Sequence, residues 1–277
     1  MSLNHAQTEA VAHNKGPCMV LAGPGSGKTL TIAKRIEYLI MKHKVRPEEI
    51  LVITFTKYAA WEMKNRTRSI CGPSSYAVTF GTFHGIYYGI LKWAYRLNQS
   101  NLLSDEEKYR ILREILPGID WDQEPEADEE KDYLQELAIE IGNVKNNCMD
   151  IEEYEPVKYT TEKFRKLYRT YEETKKKYRK IDFEDMLIQC RDLFMKRPDI
   201  LKKWQDVNQA QYDVVRMLAA PQDNLFVVGD DDQSVYGFRG AKPGIMKEFM
   251  KDYPKARQIL LDVNYRSSGY IVKGALR

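Results

Sequence analysis

The sequence predicts an α/β fold: a parallel sheet with helices on both faces, interrupted by an all-helical insertion and then resumed. Three observations carry this. An apolar strand runs straight into a glycine-rich loop and a helix between Val20 and Thr29. Strand-like and helix-like segments alternate through residues 1–98 at the spacing of parallel strands joined by crossover helices. The alternation stops at residue 99, gives way to strand-free, charge-rich sequence, and returns at Asn224.

The elements follow in order. Cys18-Met19-Val20-Leu21 reads as a buried strand. Ala22-Gly23-Pro24-Gly25-Ser26-Gly27-Lys28-Thr29 reads as a loop that wraps backbone N–H groups around an anion and aims a helix N-terminus at it. In such a loop Lys28 reaches the β- and γ-phosphates of a nucleotide, and Thr29 gives its hydroxyl to Mg²⁺. The strict pattern begins with Gly, and Ala22 stands there instead. An ordinary glycine-rich turn is the competing reading. Against it, Ile32, Ile36, Leu39 and Ile40 give the next segment one apolar helical face. Residues 50–55 read as a buried strand, 57–69 as helix, 77–80 as a short strand and 83–97 as helix. In such sheets ligands sit at the carboxyl ends of the strands, where this loop lies.

Residues 99–203 are rich in Glu, Asp, Lys and Tyr. Phe164, Leu167, Tyr168 and Tyr171 recur at helical spacing, as do Leu134, Leu137 and Ile141. The acidic stretch 122–132 around Pro125 reads as a surface loop. The run Lys175 to Lys180 reads as a solvated helix face, with phosphate contact as the other reading. Residues 224–229 then form a strand leading into Asp230-Asp231-Asp232-Gln233, 245–253 a helix, and 259–261 another strand.

The chain has 277 residues and a net charge of only +3, so any basic surface must be local. Cys18, Cys71, Cys148 and Cys190 are scattered without a C-x-x-C pair, which points to reduced cytosolic thiols rather than disulfides or zinc. The N-terminus carries no signal-peptide pattern, and no apolar run approaches the roughly 20 residues of a membrane span. The expectation is a cytoplasmic protein that does not engage a membrane.

Five segments occur in a fixed order: Leu3-Asn4-His5-Ala6-Gln7; Thr54-Phe55-Thr56 with Ala59-Ala60 and Glu62-Met63; Thr82-Phe83-His84; Gly229 to Tyr236 with Phe238-Arg239-Gly240; and Asn264-Tyr265-Arg266-Ser267. Together with the loop they resemble the UvrD/Rep/PcrA-like DNA helicases of superfamily one along nearly the whole chain. The resemblance implies a RecA-like phosphate-loop motor domain using ATP and Mg²⁺, travelling 3′ to 5′ on single-stranded DNA and acting at duplex junctions. It implies that Gln7 reads the adenine edge, Tyr265 lies against the adenine ring, and Arg266 stabilises charge at the γ-phosphate. It makes Gln233 the sensor linking that phosphate to the DNA track. From spacing alone Tyr236 and Phe238 read as core. The resemblance turns them, with Phe55, toward stacking on bases, a grip indifferent to base identity. Thr82, His84 and Arg239 are implied neighbours of the DNA.

The chain departs from the family pattern in places. Lys57 and Tyr58 stand where Asn-Lys is usual, Trp61 where a polar residue is usual, and Phe238 where Trp is usual. The family's apolar strand ending in Asp-Glu, whose carboxylates hold Mg²⁺ and orient water, is absent before Gln205-Asp206. A stretch of about ten residues is expected to be missing between Trp204 and Gln205. The implied organisation is a first motor domain from 1–98 and 204–260, a helical insertion subdomain over 99–203, and the start of a second motor domain at 261–277. Such a fragment is expected to be monomeric and poorly active alone. Two rivals are a DNA-binding module that lost its carboxylates and an unrelated phosphate-loop enzyme. The second leaves Gln233–Gly240 and Asn264–Ser267 unexplained.

Overall fold

The structure is a computed structural model. It describes residues 2–119, 129–147, 149–197, 219, 223–229 and 245–267. The strands are β1 (Cys18–Ala22), β2 (Leu51–Thr54), β3 (Thr79–Thr82), β4 (Phe226–Gly229) and β5 (Arg257–Leu261). The helices are α1 (His5–Ala12), α2 (Lys28–His43), α3 (Lys57–Cys71), α4 (Phe83–Tyr95), α5 (Asp105–Ile115), α6 (Glu130–Asn146), α7 (Thr161–Lys177), α8 (Phe183–Lys196) and α9 (Ile245–Asp252). The chain divides into two compact units, one of Met1–Phe83 with Arg197–Arg277 and one of His84–Lys196.

In the first unit every strand pairing is parallel, with order β4-β1-β5 in one sheet and β2-β3 in another. Both neighbours of β1 come from beyond residue 223. Val20 lies opposite Val228 on one side and Ile259 on the other. The strand–helix pattern that resumes at the end of the chain therefore completes the sheet begun at its start.

Alternation along β1 decides what covers each face. Cys18, Val20 and Ala22 join Ile259 and Leu261 against Ala6 and Ala10 of α1. Met19 and Leu21 join Leu225 and Val227 against Phe249 and Met250 of α9. Helix α2 uses Ile32, Ile36, Leu39 and Ile40 to cover β2 and β3, meeting Ile50, Val52, Val78 and Phe80. The apolar face expected of α2 thus packs as its spacing requires. Buried Arg35 of α2 donates to the carbonyls of Ala10 and His13 at the end of α1 and lies 4.1 Å over the Phe226 ring. A cation at a helix C-terminus is favourably placed.

Several boundaries differ from the sequence reading. The third strand runs over Thr79–Thr82, not 77–80, because a 3₁₀ turn at Gly72–Ser75 keeps the chain turning. The N–H of Val78 still donates to Ser75. Helix α4 stops at Tyr95, not residue 97, where Arg96 takes a left-handed φ of 55°. Strand β4 starts at Phe226, not residue 224, after left-handed Asp223. Strand β5 starts two residues early, at Arg257, whose N–H donates to Pro17. Within the stretch read as an acidic surface loop, Glu130, Lys131 and Asp132 open α6. Residues 120–128 lie outside the described residues, as do Gln233, Tyr236, Phe238, Arg239 and the Trp204–Gln205 junction.

The second unit is helical, and α5, α6 and α7 bury Leu112, Leu134, Leu137, Ile141, Phe164, Leu167 and Tyr171, with Tyr168 packed at the edge. Within this unit Lys145 and Lys175 meet Glu172, Asp182 and Asp185. The solvated face expected of the lysine run is wrong for Lys175, whose side chain is 2% exposed. Lys175 lies one turn beyond Tyr171 on the apolar face of α7, so it enters the core and must be neutralised there. Lys176, Lys177 and Arg179 are exposed.

Candidate functional site

The site forms where β1 ends and α2 begins. Gly25 and Gly27 hold positive φ values of 73° and 85°, which L side chains rarely adopt. These two residues turn the chain so that α2 starts at Lys28 with its first N–H groups facing the loop. Lys28 Nζ lies back on the loop's own start, 2.6 Å from the Ala22 carbonyl and 3.2 Å from that of Gly23. The Ser26 hydroxyl is buried without a hydrogen-bond partner, an orphaned donor in the middle of the cradle. Pro24 is exposed and Thr29 half-buried.

Both ends of the chain reach this loop. Asn4 and Gln7 form a reciprocal capping box on α1: Gln7 N–H donates to Asn4 Oδ1 at 2.7 Å, and Asn4 N–H donates to Gln7 Oε1 at 3.1 Å. Gln7 Nε2 donates to the Ser26 carbonyl at 3.0 Å, in a buried bond. These bonds use one lone pair of the Gln7 carbonyl and one of its two N–H donors. One acceptor and one donor remain. That pair is complementary to the N6 and N7 edge of adenine, which Gln reads bidentately.

From the other end, the Tyr265 N–H donates to Gly25 O at 2.9 Å, and Asn4 Nδ2 donates to Tyr265 Oη at 2.8 Å. Asn264 Oδ1 accepts from the N–H groups of Arg266 and Ser267, at 2.8 and 3.0 Å. This turn sets Asn264 and Arg266 against the loop, and a Cβ on Gly25 would collide with Asn264 Oδ1 and lie 2.8 Å from Arg266 Cβ. Gln7, the loop from Ala22 to Thr29, Tyr265 and Arg266 are therefore brought together. Asn4 and Asn264 were missed as members of the site. The signals were there: Asn4 precedes Gln7 by three residues, the capping-box spacing, and Asn is a favoured turn residue.

Phe55 and Thr82 follow the same logic of strand ends. Thr82 is the last residue of β3, and Phe55 follows the end of β2, 54% exposed with its ring edge-to-face on Phe83 at 5.4 Å. His84, in the helical unit, packs edge-to-face on Phe183 at 5.6 Å. Burial holds its imidazole below the usual histidine range, with Glu184 opposing the shift.

The donor set suits a nucleotide: positive-φ glycines, an orphaned hydroxyl, a lysine and the half-used Gln7 amide. A divalent cation would find the Thr29 hydroxyl here. Among the described residues the one group of three carboxylates close enough to share a cation is Glu172, Asp182 and Asp185, in the helical unit, and two lysine ammonium groups already sit on it.

Comparison with known proteins completes the picture. Residues 3–254 match the UvrD/REP helicase N-terminal domain. The chain is 38% identical to the putative ATP-dependent DNA helicase YjcD of Bacillus subtilis, aligned over 99% of this chain and 38% of that protein. It is 35% identical to the ATP-dependent DNA helicase PcrA of the same organism and 33% identical to DNA helicase II of Escherichia coli, again over 99% of this chain and 39% and 40% of theirs. The chain thus spans about two-fifths of the length of these relatives. The alignments run over 298, 291 and 296 positions, more than the 277 residues of the chain, so the relatives carry positions with no counterpart here. No helix among the described residues is long and apolar enough to cross a membrane.

Proposed function

The chain belongs to the UvrD/REP helicase N-terminal domain family, and on that premise we propose that it is the ATP-binding motor portion of a DNA helicase that moves on single-stranded DNA. The observation that carries this is the convergence of Asn4 and Gln7, the Gly25–Lys28 loop and Tyr265 on one cradle, with Asn4 and Tyr265 separated by 261 residues of sequence. A small-molecule kinase needs the loop but has no use for that convergence.

In this reading the first unit is a RecA-like motor domain and the helical segment over 99–203 is its insertion. Gln7 and Tyr265 hold the adenine, Lys28 and the Ser26 hydroxyl take the phosphates, and Thr29 offers an oxygen to Mg²⁺. Bound Mg²⁺–ATP supplies the free energy of phosphoryl transfer. Arg266, whose backbone N–H is held by Asn264, supplies positive charge to offset that of the γ-phosphate. Phe55, Thr82, His84, Tyr236, Phe238 and Arg239 are assigned to DNA contact, and Gln233 to coupling the nucleotide to the DNA. Travel is 3′ to 5′, at junctions of single strand and duplex, in the cytoplasm. The carboxylate pair absent before Gln205 leaves Thr29 with an incomplete metal site, so the isolated chain should bind nucleotide better than it turns it over.

The test is titration of the chain with a fluorescent ATP analogue, with and without oligo-dT, followed by turnover assays. Binding competed by ATP, weakened at least tenfold in Lys28→Ala and altered by oligo-dT, is the expected result. Nucleotide binding that ignores Lys28→Ala, or that is unaffected by DNA in the full-length protein as well, would overturn the proposal.

A further inference from the structure

Helix α3 carries an exposed feature that the nucleotide cradle does not use. Its inner face is Ala60, Met63, Thr67 and Cys71, all buried. Lys57, Trp61, Lys64 and Arg68 follow one another at spacings of four, three and four residues, so they stack along a different single face. The stripe is about 16 Å long at 1.5 Å per residue. Tyr58 is 70% exposed and Trp61 58%. Their rings lie 6.0 Å apart and are tilted by 33°, so neither covers the other. At the far end the Arg68 guanidinium sits 5.0 Å over the ring of Tyr76, itself 62% exposed. At the near end the stripe runs into Phe55, which directly precedes the Thr56 cap of the helix.

Charge decides what such a face takes. The helix holds four cations, Lys57, Lys64, Arg66 and Arg68, against one acid, Glu62. Its excess of three equals the net charge of the entire chain. Exposed rings at Tyr58, Trp61 and Tyr76 beside exposed Lys57 and half-buried Lys64 and Arg68 fit a polyanion whose flat groups lie free. A protein partner fits less well, since lysine is depleted at the core of such interfaces. A single strand offers both features at once: phosphates for the cations and base faces for the rings.

We propose that Tyr58, Trp61, Lys64, Arg68 and Tyr76 form a second gripping surface for single-stranded DNA, continuous with Phe55 and running down α3. It rests on the reading of the chain as a DNA-binding motor. Lys57 and Tyr58 stand where the family pattern has Asn-Lys, and Trp61 where it has a polar residue, so this chain presents two aromatic faces there.

The experiment is fluorescence anisotropy of labelled oligo-dT with the 277-residue chain, across a salt series. Trp61→Ala and Tyr58→Ala should each weaken binding about 5- to 100-fold. Lys64→Gln should lower the slope of log K against log salt by about 0.7. Trp61→Phe should keep most of the affinity but lose much of the DNA-induced quenching of tryptophan emission. ATP-analogue binding, which uses the separate loop, reports that each variant is folded. If the wild-type chain binds oligo-dT and these variants match it in affinity, slope and quenching, the second surface is overturned while the motor reading stands. Weakened binding to duplex or to protein, with oligo-dT binding unchanged, also overturns it. A wild-type chain that does not bind oligo-dT would overturn this inference, and the same failure in the full-length protein would overturn the DNA reading itself.

Discussion

The side-chain amide of Asn4 donates to the hydroxyl of Tyr265 at 2.8 Å across 261 residues of sequence. The oxygen of that same side chain caps α1 by accepting from the Gln7 N–H, and Gln7 Nε2 carries the connection on to the loop at Ser26. Asn4→Ala removes the cap and the Tyr265 bond at once. A loss of about 1 kcal/mol of stability is expected from the cap, with weaker binding of an ATP analogue because Tyr265 loses its bond to the Asn4 side chain. Tyr265→Phe keeps the ring and removes only the hydroxyl, so it should change stability less. Chemical denaturation and analogue titration of both variants check this.

Two glycines of the loop should respond differently to alanine. Gly25 has φ of 73°, and its added Cβ would meet Asn264 and Arg266. Gly23 has nothing within 4 Å of the position a Cβ would take. Gly25→Ala should therefore displace the Asn264–Arg266 turn and cost about 1–3 kcal/mol, from backbone strain before the collision is counted. Gly23→Ala should leave stability within about 0.5 kcal/mol of wild type. Thermal unfolding of the two variants side by side is the measurement.

The contrast between what the sequence made legible and what it hid has a physical basis. The loop was readable because glycine at positive φ and a following lysine leave a local signature. The apolar face of α2 was readable because Ile32, Ile36, Leu39 and Ile40 are all on one helical side. The start of β3 was not, because Val78 is apolar and buried whether it belongs to a strand or to the end of a turn. The basic run was misread at Lys175, and at Lys180, which pairs with Glu107: a lysine in such a run looks solvated unless, for Lys175, its register with Phe164, Leu167 and Tyr171 is followed one turn further. Asn4 and Asn264 carry local signals, a capping-box spacing and a turn residue, but these do not say that Asn4 meets Tyr265 or that Asn264 meets the Gly25 turn.

Histidine 84 gives the helical unit a pH dependence. Burial lowers its pKa below the usual value, with Glu184 opposing. The unfolded chain therefore binds a proton more readily than the folded one between the lowered folded value and the ordinary value of about 6.5. Stability rises with pH wherever the unfolded state binds more protons, so it should be complete above pH 7 and decline as the pH falls through 6.5. His84→Gln should flatten that part of the profile. Denaturation midpoints between pH 5 and 8, for wild type and variant, decide it. A profile with the same slope in both would assign the dependence to other groups.

The core of the helical unit sets three carboxylates against two ammonium groups, and this imbalance predicts which acid matters. Lys145 Nζ lies 2.7 Å from Asp182 Oδ2 and 2.8 Å from Asp185 Oδ1, and Lys175 pairs with both. For Asp182, burial would raise the pKa, but Lys175, Lys145 and Lys108 outweigh it and hold the carboxyl well below the usual range. For Asp185, burial and the neighbouring Asp182 charge prevail over Lys175 and Lys145 and raise it. Asp182 thus contributes stability that is present above its unfolded pKa and lost as the pH falls through the lowered folded value. Asp185 has the opposite sign: its ionised form is the disfavoured one, and stability is lost as the pH rises through its folded value. Asp182→Asn removes the charge both lysines depend on and should cost about 3–5 kcal/mol, the range for breaking a buried pair. Asp185→Asn removes a charge the fold already disfavours while keeping one acceptor, and should cost less than half as much. Equal losses in urea denaturation at pH 7, or a larger loss for Asp185→Asn, would show that the two carboxylates share the lysines evenly.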